Sequence, residues 1–167
     1  MDIRIAGTVE DSIVDGPGLR FVVFVQGCPH HCEGCHNPET HDFSAGKLTT
    51  TDALYEMCME NPLCSGVTFS GGEPFCQPEA LYELGSRFKD AGKHLMCYSG
   101  WTFEELLKKS GREEYVGKLL SILDVLVDGR FDISKRSLSL LFRGSSNQRL
   151  IDVPASLTNG EAVELPE

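Results

Sequence analysis

The sequence predicts an α/β protein that folds as a partial, open β/α barrel with mainly parallel strands. Two observations support this prediction. Four short, nearly continuous apolar runs are typical of parallel strands covered on both faces, and segments with helical periodicity lie between them. Four such units are too few to close an eight-stranded barrel, so we expect the barrel to be open.

The predicted strands are rich in β-branched and aromatic residues, which favour a pleated and buried backbone. Because helical segments separate them, right-handed crossovers would join them in parallel. They are residues 21–25, 67–69, 95–98 and 125–127.

The predicted helices are placed by their terminal signals. The first starts at Thr51, and the second at Pro78, since proline suits the first turn of a helix. The third starts at Thr102, which forms a capping box with Glu105. A fourth covers residues 113–122, where apolar residues recur at helical spacing.

The chain is long enough for one domain with a substantial core, since 41% of its 167 residues are hydrophobic. After residue 155 the sequence turns to Ser, Asn, Gly and Glu without a periodic apolar face. We therefore expect one domain over residues 1–155 and a flexible C-terminal tail over residues 156–167.

Charge and composition restrict the class of function. A formal net charge of −10 argues against nucleic acid or an anionic membrane as partner, because both need a cationic surface. The N-terminus lacks a secretory apolar region, and the longest apolar run, residues 21–25, is too short to span a membrane. The seven cysteines are an odd number, and three of them crowd one loop. These features predict a cytoplasmic protein whose clustered cysteines bind metal.

Cys28, Cys32 and Cys35 form a Cys-x3-Cys-x2-Cys pattern directly after the first predicted strand. Three thiolates on one short loop can hold three irons of a 4Fe-4S cubane and leave the fourth iron without a protein ligand. Such an open position is where a metal site performs chemistry. A rival interpretation is a Cys3His zinc site, closed by a neighbouring histidine, in a non-catalytic module.

A second motif follows the second predicted strand, in the run Ser70-Gly71-Gly72-Glu73-Pro74. Loops at the carboxyl ends of parallel strands meet on one edge of the sheet, so this motif and the cysteine loop are expected to open on the same site. Paired glycines allow a backbone to approach a ligand closely, and Glu73 adds an anionic group that could bind an amine.

Together, the two motifs resemble the radical S-adenosylmethionine (radical SAM) family, and the fold would then be a truncated radical SAM core. Within that family the chain is most similar to the activating proteins of glycyl-radical enzymes, in particular those of anaerobic ribonucleotide reductase. The runs that carry this narrower resemblance are residues 15–20, 34–38, 98–102, 124–129 and 143–149.

The resemblance implies an oxidoreductase that reductively cleaves S-adenosylmethionine at a 4Fe-4S cluster to methionine and a 5'-deoxyadenosyl radical. The radical would then generate a glycyl radical on anaerobic ribonucleotide reductase, the protein substrate. The electron donor would be flavodoxin or ferredoxin. Cys28, Cys32 and Cys35 would hold the cluster. The residues implied to contact S-adenosylmethionine are Gly34, Cys35, His36, Gly71, Gly72, Glu73, Asp128 and Arg130.

A rival within the same family is a small radical SAM enzyme that acts on a small metabolite, as in deazapurine synthesis. The chain has little sequence left for a lid over so reactive a radical, which favours a protein substrate that covers the site itself. The other four cysteines are expected to be structural, with Cys58 and Cys97 packed as small apolar side chains and Cys64 and Cys76 in loops.

Overall fold

The computed structural model describes residues 1–166 and contains one seven-stranded sheet in the order β3-β1-β2-β4-β5-β6-β7, with five helices. The strands are β1 (Asp2–Ser12), β2 (Arg20–Val25), β3 (Lys47–Thr50), β4 (Gly66–Gly71), β5 (His94–Ser99), β6 (Val125–Asp128) and β7 (Arg149–Asp152). The helices are α1 (Thr51–Met59), α2 (Pro78–Asp90), α3 (Phe103–Ser110), α4 (Glu114–Ile122) and α5 (Val153–Asn159).

The centre of the sheet consists of the four parallel strands β2, β4, β5 and β6. Each contains one of the predicted apolar runs, and all four predicted helices are present, so these expectations are confirmed. Helix α2 connects β4 to β5, and α3 and α4 connect β5 to β6. The capping box at the start of α3 is complete, with the Thr102 hydroxyl accepting from the Glu105 amide and the Glu105 carboxylate accepting from the Thr102 amide, both at 3.1 Å.

The sheet is mixed, so the expected parallel arrangement holds for its four central strands. Three further strands, β1, β3 and β7, pair antiparallel with their neighbours. Strands β3 and β7 have four residues each and lie at the two edges, where partial exposure leaves no continuous apolar run. In β1 the buried Ile3 and Ile5 alternate with polar residues, which is the period-2 pattern of a half-buried strand.

The two faces of the sheet are covered differently. The buried apolar residues of all five helices belong to one core, which also contains Val67, Phe69 and Cys97 from alternate positions of β4 and β5. The opposite face carries a smaller apolar cluster with no helical member, centred on Met96 and Val127. Loops rather than helices therefore cover this second face.

The segment expected to be a flexible C-terminal tail begins inside helix α5 (Val153–Asn159). Helix α5 buries Val153 and Ser156, and the Ser156 hydroxyl accepts a hydrogen bond from the Val163 amide at 2.8 Å. The Leu165 amide then donates to the carbonyl of Leu150 in β7 at 2.8 Å. This segment is held by backbone and hydroxyl hydrogen bonds. Because such bonds do not require apolar side chains, the sequence shows no apolar periodicity here. Residue 167 lies outside the described residues.

A buried arginine fixes the loop between β1 and β2. Arg20 has no solvent exposure, and its guanidinium donates to the Thr68 hydroxyl at 2.8 Å, to the Val67 carbonyl at 2.8 Å and to the Pro17 carbonyl at 2.9 Å. Burial lowers the pKa of this guanidinium. The loop is thereby drawn across the helix-free face, where the Asp15 carbonyl accepts from the Thr68 hydroxyl.

Among the described residues, no helix combines the length and the apolar character that crossing a membrane requires.

We predict that Arg20→Lys lowers the free energy of unfolding by about 2 kcal/mol or more, because one ammonium cannot reach all three of these acceptors and leaves buried carbonyls unpaired. Urea unfolding of the apoprotein, followed by circular dichroism, measures this loss. The matched control is Arg112→Lys at an exposed position, for which a change of under about 0.5 kcal/mol is expected. Equal losses in the two variants would contradict the structural role of Arg20.

Candidate active site

The cysteine loop starts where β2 ends and is held by backbone hydrogen bonds. The Gly27 amide donates to the Thr40 carbonyl at 2.7 Å, and the Cys28 amide to the His41 carbonyl at 3.2 Å. A tight turn follows, in which the Cys35 amide donates to the Cys32 carbonyl at 3.1 Å. Gly34 takes the third position of this turn with a φ of +74°, a backbone conformation that suits glycine.

Cys28, Cys32 and Cys35 line a single cavity of about 640 Å³ on the helix-free face of the sheet. Gly71 and Gly72, at the end of β4, line the same cavity. The structure therefore brings the two sequence motifs together at the carboxyl ends of neighbouring parallel strands.

The three cysteines supply the donor set of an iron–sulfur cluster. Within residues 1–166, no group of three or more His, Cys, Asp or Glu side chains converges on one ion position. A cubane places each thiolate on a different iron, so its ligands need not converge in this way. Burial raises the pKa of the Cys28 and Cys32 thiols, and a cluster bound here would take them as thiolates.

The paired glycines allow the end of β4 to lie against the cysteine loop. A Cβ on Gly72 would come within 2.4 Å of the Gly27 carbonyl oxygen, and one on Gly71 within 2.6 Å of the Val25 backbone nitrogen. The Gly72 amide donates to the Val25 carbonyl at 2.9 Å, and the Glu73 amide to the Gly27 carbonyl at 2.8 Å. The glycines are thus needed for backbone packing as well as for any approach to a ligand.

The carboxylate of Glu73 is buried and fully engaged by protein donors. It accepts from His30 Nε2 at 2.7 Å, from the Gly100 amide at 2.7 Å, from the Ser99 hydroxyl at 3.0 Å and from the Phe75 amide at 3.0 Å. Among the residues that the structure describes, Glu73 is not one of those that line the cavity. Its carboxylate instead joins the ends of β4 and β5 to the cysteine loop.

His30 is the residue of the cysteine loop that makes this connection. Its side chain is 4% exposed and packs edge-on against Trp101, with ring centroids 4.7 Å apart. Arg130 Nε lies 3.3 Å from His30 Nδ1. Arginine can only donate, so Nδ1 accepts and the imidazole proton lies on Nε2, which donates to Glu73. A Cβ on Gly100 would lie 2.4 Å from the His30 ring, so glycine is required there.

Asp128 and Arg130, predicted to contact a cofactor, bind protein groups and do not line the cavity in the described part of the chain. The Asp128 carboxylate accepts from the Phe103 amide at 2.7 Å, at the start of α3, and from Arg149 Nε at 3.0 Å. This hydrogen-bonded pairing raises the pKa of Arg149. Arg130 acts on the site through His30.

The residues around the third cysteine divide into two groups. His36 lines the cavity, with its ring 5.1 Å from that of Phe131, whereas Gly34 lies outside the lining and packs against Ile133.

The expectation that Cys58 and Cys97 are packed is confirmed, since both are buried. Cys64 is also buried, with its sulfur 3.8 Å from that of Cys58, and burial raises the pKa of Cys76 to about 12.

Sequence reasoning missed the wall formed by the segment between β6 and β7. Phe131, Leu138, Phe142 and Gln148 all line the cavity. Gln148 shapes this segment, because its side-chain carbonyl accepts from the Gly144 amide at 2.9 Å and its NH2 donates to the Gly129 carbonyl at 3.0 Å. The run at residues 143–149 was the available signal, but the sequence did not reveal that it folds back to the site.

Comparison with known proteins agrees with this geometry. Residues 14–151 match the family model described as a 4Fe-4S single cluster domain. The chain is 34% identical over 146 residues to the anaerobic ribonucleoside-triphosphate reductase-activating protein of Haemophilus influenzae, covering 81% of this chain and 89% of that protein. The Vibrio cholerae protein of the same name is 33% identical over 150 residues, with 81% and 89% covered.

Two further similarities cover less of the chain. The pyruvate formate-lyase-activating enzyme of Clostridium pasteurianum is 40% identical over 114 residues, which are 63% of this chain and 48% of that protein. The crystal structure of QueE from Escherichia coli resembles the fold with a TM-score of 0.51 at 17% identity, over 61% of this chain and 54% of that one.

We predict that Glu73→Gln destabilises the apoprotein by about 1–3 kcal/mol, because an amide offers one acceptor oxygen to four buried donors. Thermal unfolding of the metal-free protein measures this effect without any contribution from a bound ligand. Glu79→Gln, at an exposed position in the first turn of α2, is the control and is expected to cost under about 0.5 kcal/mol. An unchanged melting temperature for Glu73→Gln would contradict the structural role.

Proposed function

The chain belongs to the 4Fe-4S single cluster domain family and to the anaerobic ribonucleoside-triphosphate reductase-activating proteins, and we propose that it generates a glycyl radical on anaerobic ribonucleotide reductase. The observation that carries this proposal is the shared cavity of the three cysteines and the Gly71-Gly72 strand end. A 4Fe-4S cluster bound there would supply the electron that cleaves S-adenosylmethionine to methionine and a 5'-deoxyadenosyl radical.

In this proposal the thiolates of Cys28, Cys32 and Cys35 would hold three irons of the cluster. The fourth iron would then be free to bind S-adenosylmethionine. Donor chemistry and common access to the cavity support this assignment. The protein's own contribution is to fix the loop. The backbone bonds at Gly27 and Cys28 hold its start, and His30 clamps its middle to Glu73.

The cavity wall supplies the contacts for S-adenosylmethionine. The backbone of Gly71 and Gly72 is open to the amino group of the methionine portion, because these residues present no side chain. We propose that Gly34, Cys35 and His36 contact the adenosyl portion, which is supported for Cys35 and His36 by their place in the cavity lining. We assign Glu73, Asp128 and Arg130 to positioning, since each acts through another protein group.

The proposal also includes an open barrel, a cytoplasmic location and a flavodoxin or ferredoxin as electron donor. The helix-free face of the sheet, with loops around the cavity, is consistent with the inner surface of an open barrel. We propose that the protein works in the cytoplasm with flavodoxin or ferredoxin as electron donor. Seven free cysteines suit such a reducing compartment.

A small-metabolite radical SAM enzyme is the second candidate. The similarity to two anaerobic ribonucleoside-triphosphate reductase-activating proteins over 81% of the chain favours a protein substrate over it. Mixing the anaerobic protein with the reductase, S-adenosylmethionine and reductant distinguishes the two. We expect a glycyl radical signal on the reductase by electron paramagnetic resonance. Formation of 5'-deoxyadenosine without that signal would favour the small-metabolite candidate.

We predict that replacing Cys28, Cys32 or Cys35 individually with alanine abolishes cluster binding, because three cysteine ligands are already the minimum for an open cubane. Iron and sulfide analysis, with the visible absorption spectrum, measures the loss after anaerobic reconstitution. Cys97→Ala and Cys76→Ala are matched controls that should retain the cluster. A colourless wild-type protein containing only zinc would contradict the proposal and support the Cys3His module.

We predict that Gly72→Ala weakens S-adenosylmethionine binding by about tenfold or more. The added Cβ would approach the Gly27 carbonyl within 2.4 Å, and the cysteine loop would have to move. Equilibrium binding to the reconstituted protein is the measurement. Gly7→Ala, where a Cβ meets no atom within 4 Å and the backbone φ is not positive, tests whether glycine replacement alone has any effect. Unchanged affinity in Gly72→Ala would contradict the proposed contact between the loop and the strand end.

A further inference from the structure

The backbone of the cysteine loop turns left-handed directly before each of its three cysteines. The residues concerned are Gly27, His31 and Gly34, with φ angles of +104°, +49° and +74°. Each of them immediately precedes one cysteine of the motif. A positive φ costs glycine little, whereas a residue with a side chain adopts it only under constraint. The same conformation thus recurs before every candidate ligand, and at one of the three places it is strained.

His31 is the residue that carries this strain. Within residues 1–166, His31 and Phe142 are the two residues other than glycine with a positive φ. Histidine enters the left-handed region more readily than most residues, and β-branched residues are rare there. Strained backbone of this kind persists only where the surrounding structure requires it, and it gathers at functional sites. The conformation of His31 therefore needs a structural cause.

The imidazole of His31 does not supply that cause. The residue is exposed and, in the described part of the chain, is not one of those that line the cavity. Its ring packs edge-on against that of His41, with centroids 5.0 Å apart. The imidazole of the neighbouring His30, by contrast, is buried and bonded to Glu73 at 2.7 Å. The constraint at His31 therefore lies in its backbone.

The backbone of His31 acts on the sulfur of Cys28. Burial raises the pKa of this thiol, and hydrogen bonds from the backbone amides of His30 and His31 lower it. Two successive amides thus face one sulfur. A turn that contains a left-handed residue can aim successive amides at one anion, an arrangement that recurs at iron–sulfur sites. The Cys35 sulfur likewise accepts from the Asn37 amide at 3.4 Å.

We propose that His31 is a positioning residue, whose left-handed backbone aims the Cys32 thiol and the His31 amide at the cluster site while its imidazole takes no part in metal binding. A change of φ at His31 would rotate Cys32 relative to Cys28, so the two thiols would no longer face one cavity. The inference rests on the proposed function, which requires a 4Fe-4S cluster there. Amide hydrogen bonds to sulfur stabilise the more negative, reduced cluster and so raise its reduction potential.

The test separates the backbone of His31 from its imidazole in the anaerobically reconstituted protein. His31→Gly removes the ring and keeps the left-handed conformation without strain, so cluster retention should match that of the wild type. His31→Val introduces a β-branched side chain that disfavours a positive φ. We expect its iron to be lost to an anaerobic chelator about tenfold faster or more. Glu33→Val is the matched control, because Glu33 is exposed in the same loop and its φ is not positive.

The reduction potential is the second measurement, obtained by redox titration followed by electron paramagnetic resonance. In the cluster that His31→Val retains, the equilibrium constant for reduction should fall about tenfold, because the amide no longer faces the sulfur. His31→Gly should keep the wild-type potential. Circular dichroism verifies that the apoproteins are folded. If His31→Val is not folded, His31→Ala takes its place and the same order relative to His31→Gly is expected.

The outcomes distinguish the role of His31 from the proposed function. Loss of the cluster in His31→Gly as well as in His31→Val would overturn the inference and assign the imidazole a direct role at the metal. Equal retention and equal potentials in all variants would also overturn it, since the conformation would then be dispensable. If the variants follow the expected order but the wild type yields no glycyl radical on the reductase, the positioning role stands and the proposed function fails.

Discussion

The geometry of the site depends on the buried carboxylate of Glu73. This group accepts hydrogen bonds from the cysteine loop through His30, from the end of β5 through Ser99 and Gly100, and from the backbone at Phe75. Segments far apart in sequence thereby meet on one side chain. A buried carboxylate without these donors would be costly, so the network is most stable when every partner is in place. The position of the cysteines is linked in this way to the ends of both central strands.

The helices cover only one face of the sheet, and the candidate active site lies on the other face. All five helices pack their buried apolar residues into one core, which leaves the opposite face to loops. Strand residues on that face, such as Phe24, Ser70 and Tyr98, can therefore line a cavity instead of a core. The loop held by Arg20 and the segment after β6 border the cavity on this face. A rigid, helix-backed sheet thus supports a site whose rim consists of loops, which suits a macromolecular partner.

Local patterns were sufficient to predict the parallel centre of the sheet and its helices, because continuous apolar runs and caps act over a few residues. They were insufficient for β3 and β7, whose four residues are defined by pairing with neighbours distant in sequence. At the site, spacing identified Cys28, Cys32 and Cys35, but it could not show that Glu73 binds His30 or that Asp128 caps α3. Such contacts join residues 25 or more positions apart, and their partners are chosen by the fold.

The return of the C-terminal segment has a consequence for how the molecule behaves in concentrated solution. Strand β7 is the last of the sheet, and the bridge between Ile151 and Glu164, with the Leu165 amide on Leu150, occupies its outer backbone groups. An unpaired border strand is a template on which foreign chains can add by hydrogen bonding, and it promotes aggregation. By occupying that template with its own backbone, the chain discourages edge-to-edge polymerisation on this side.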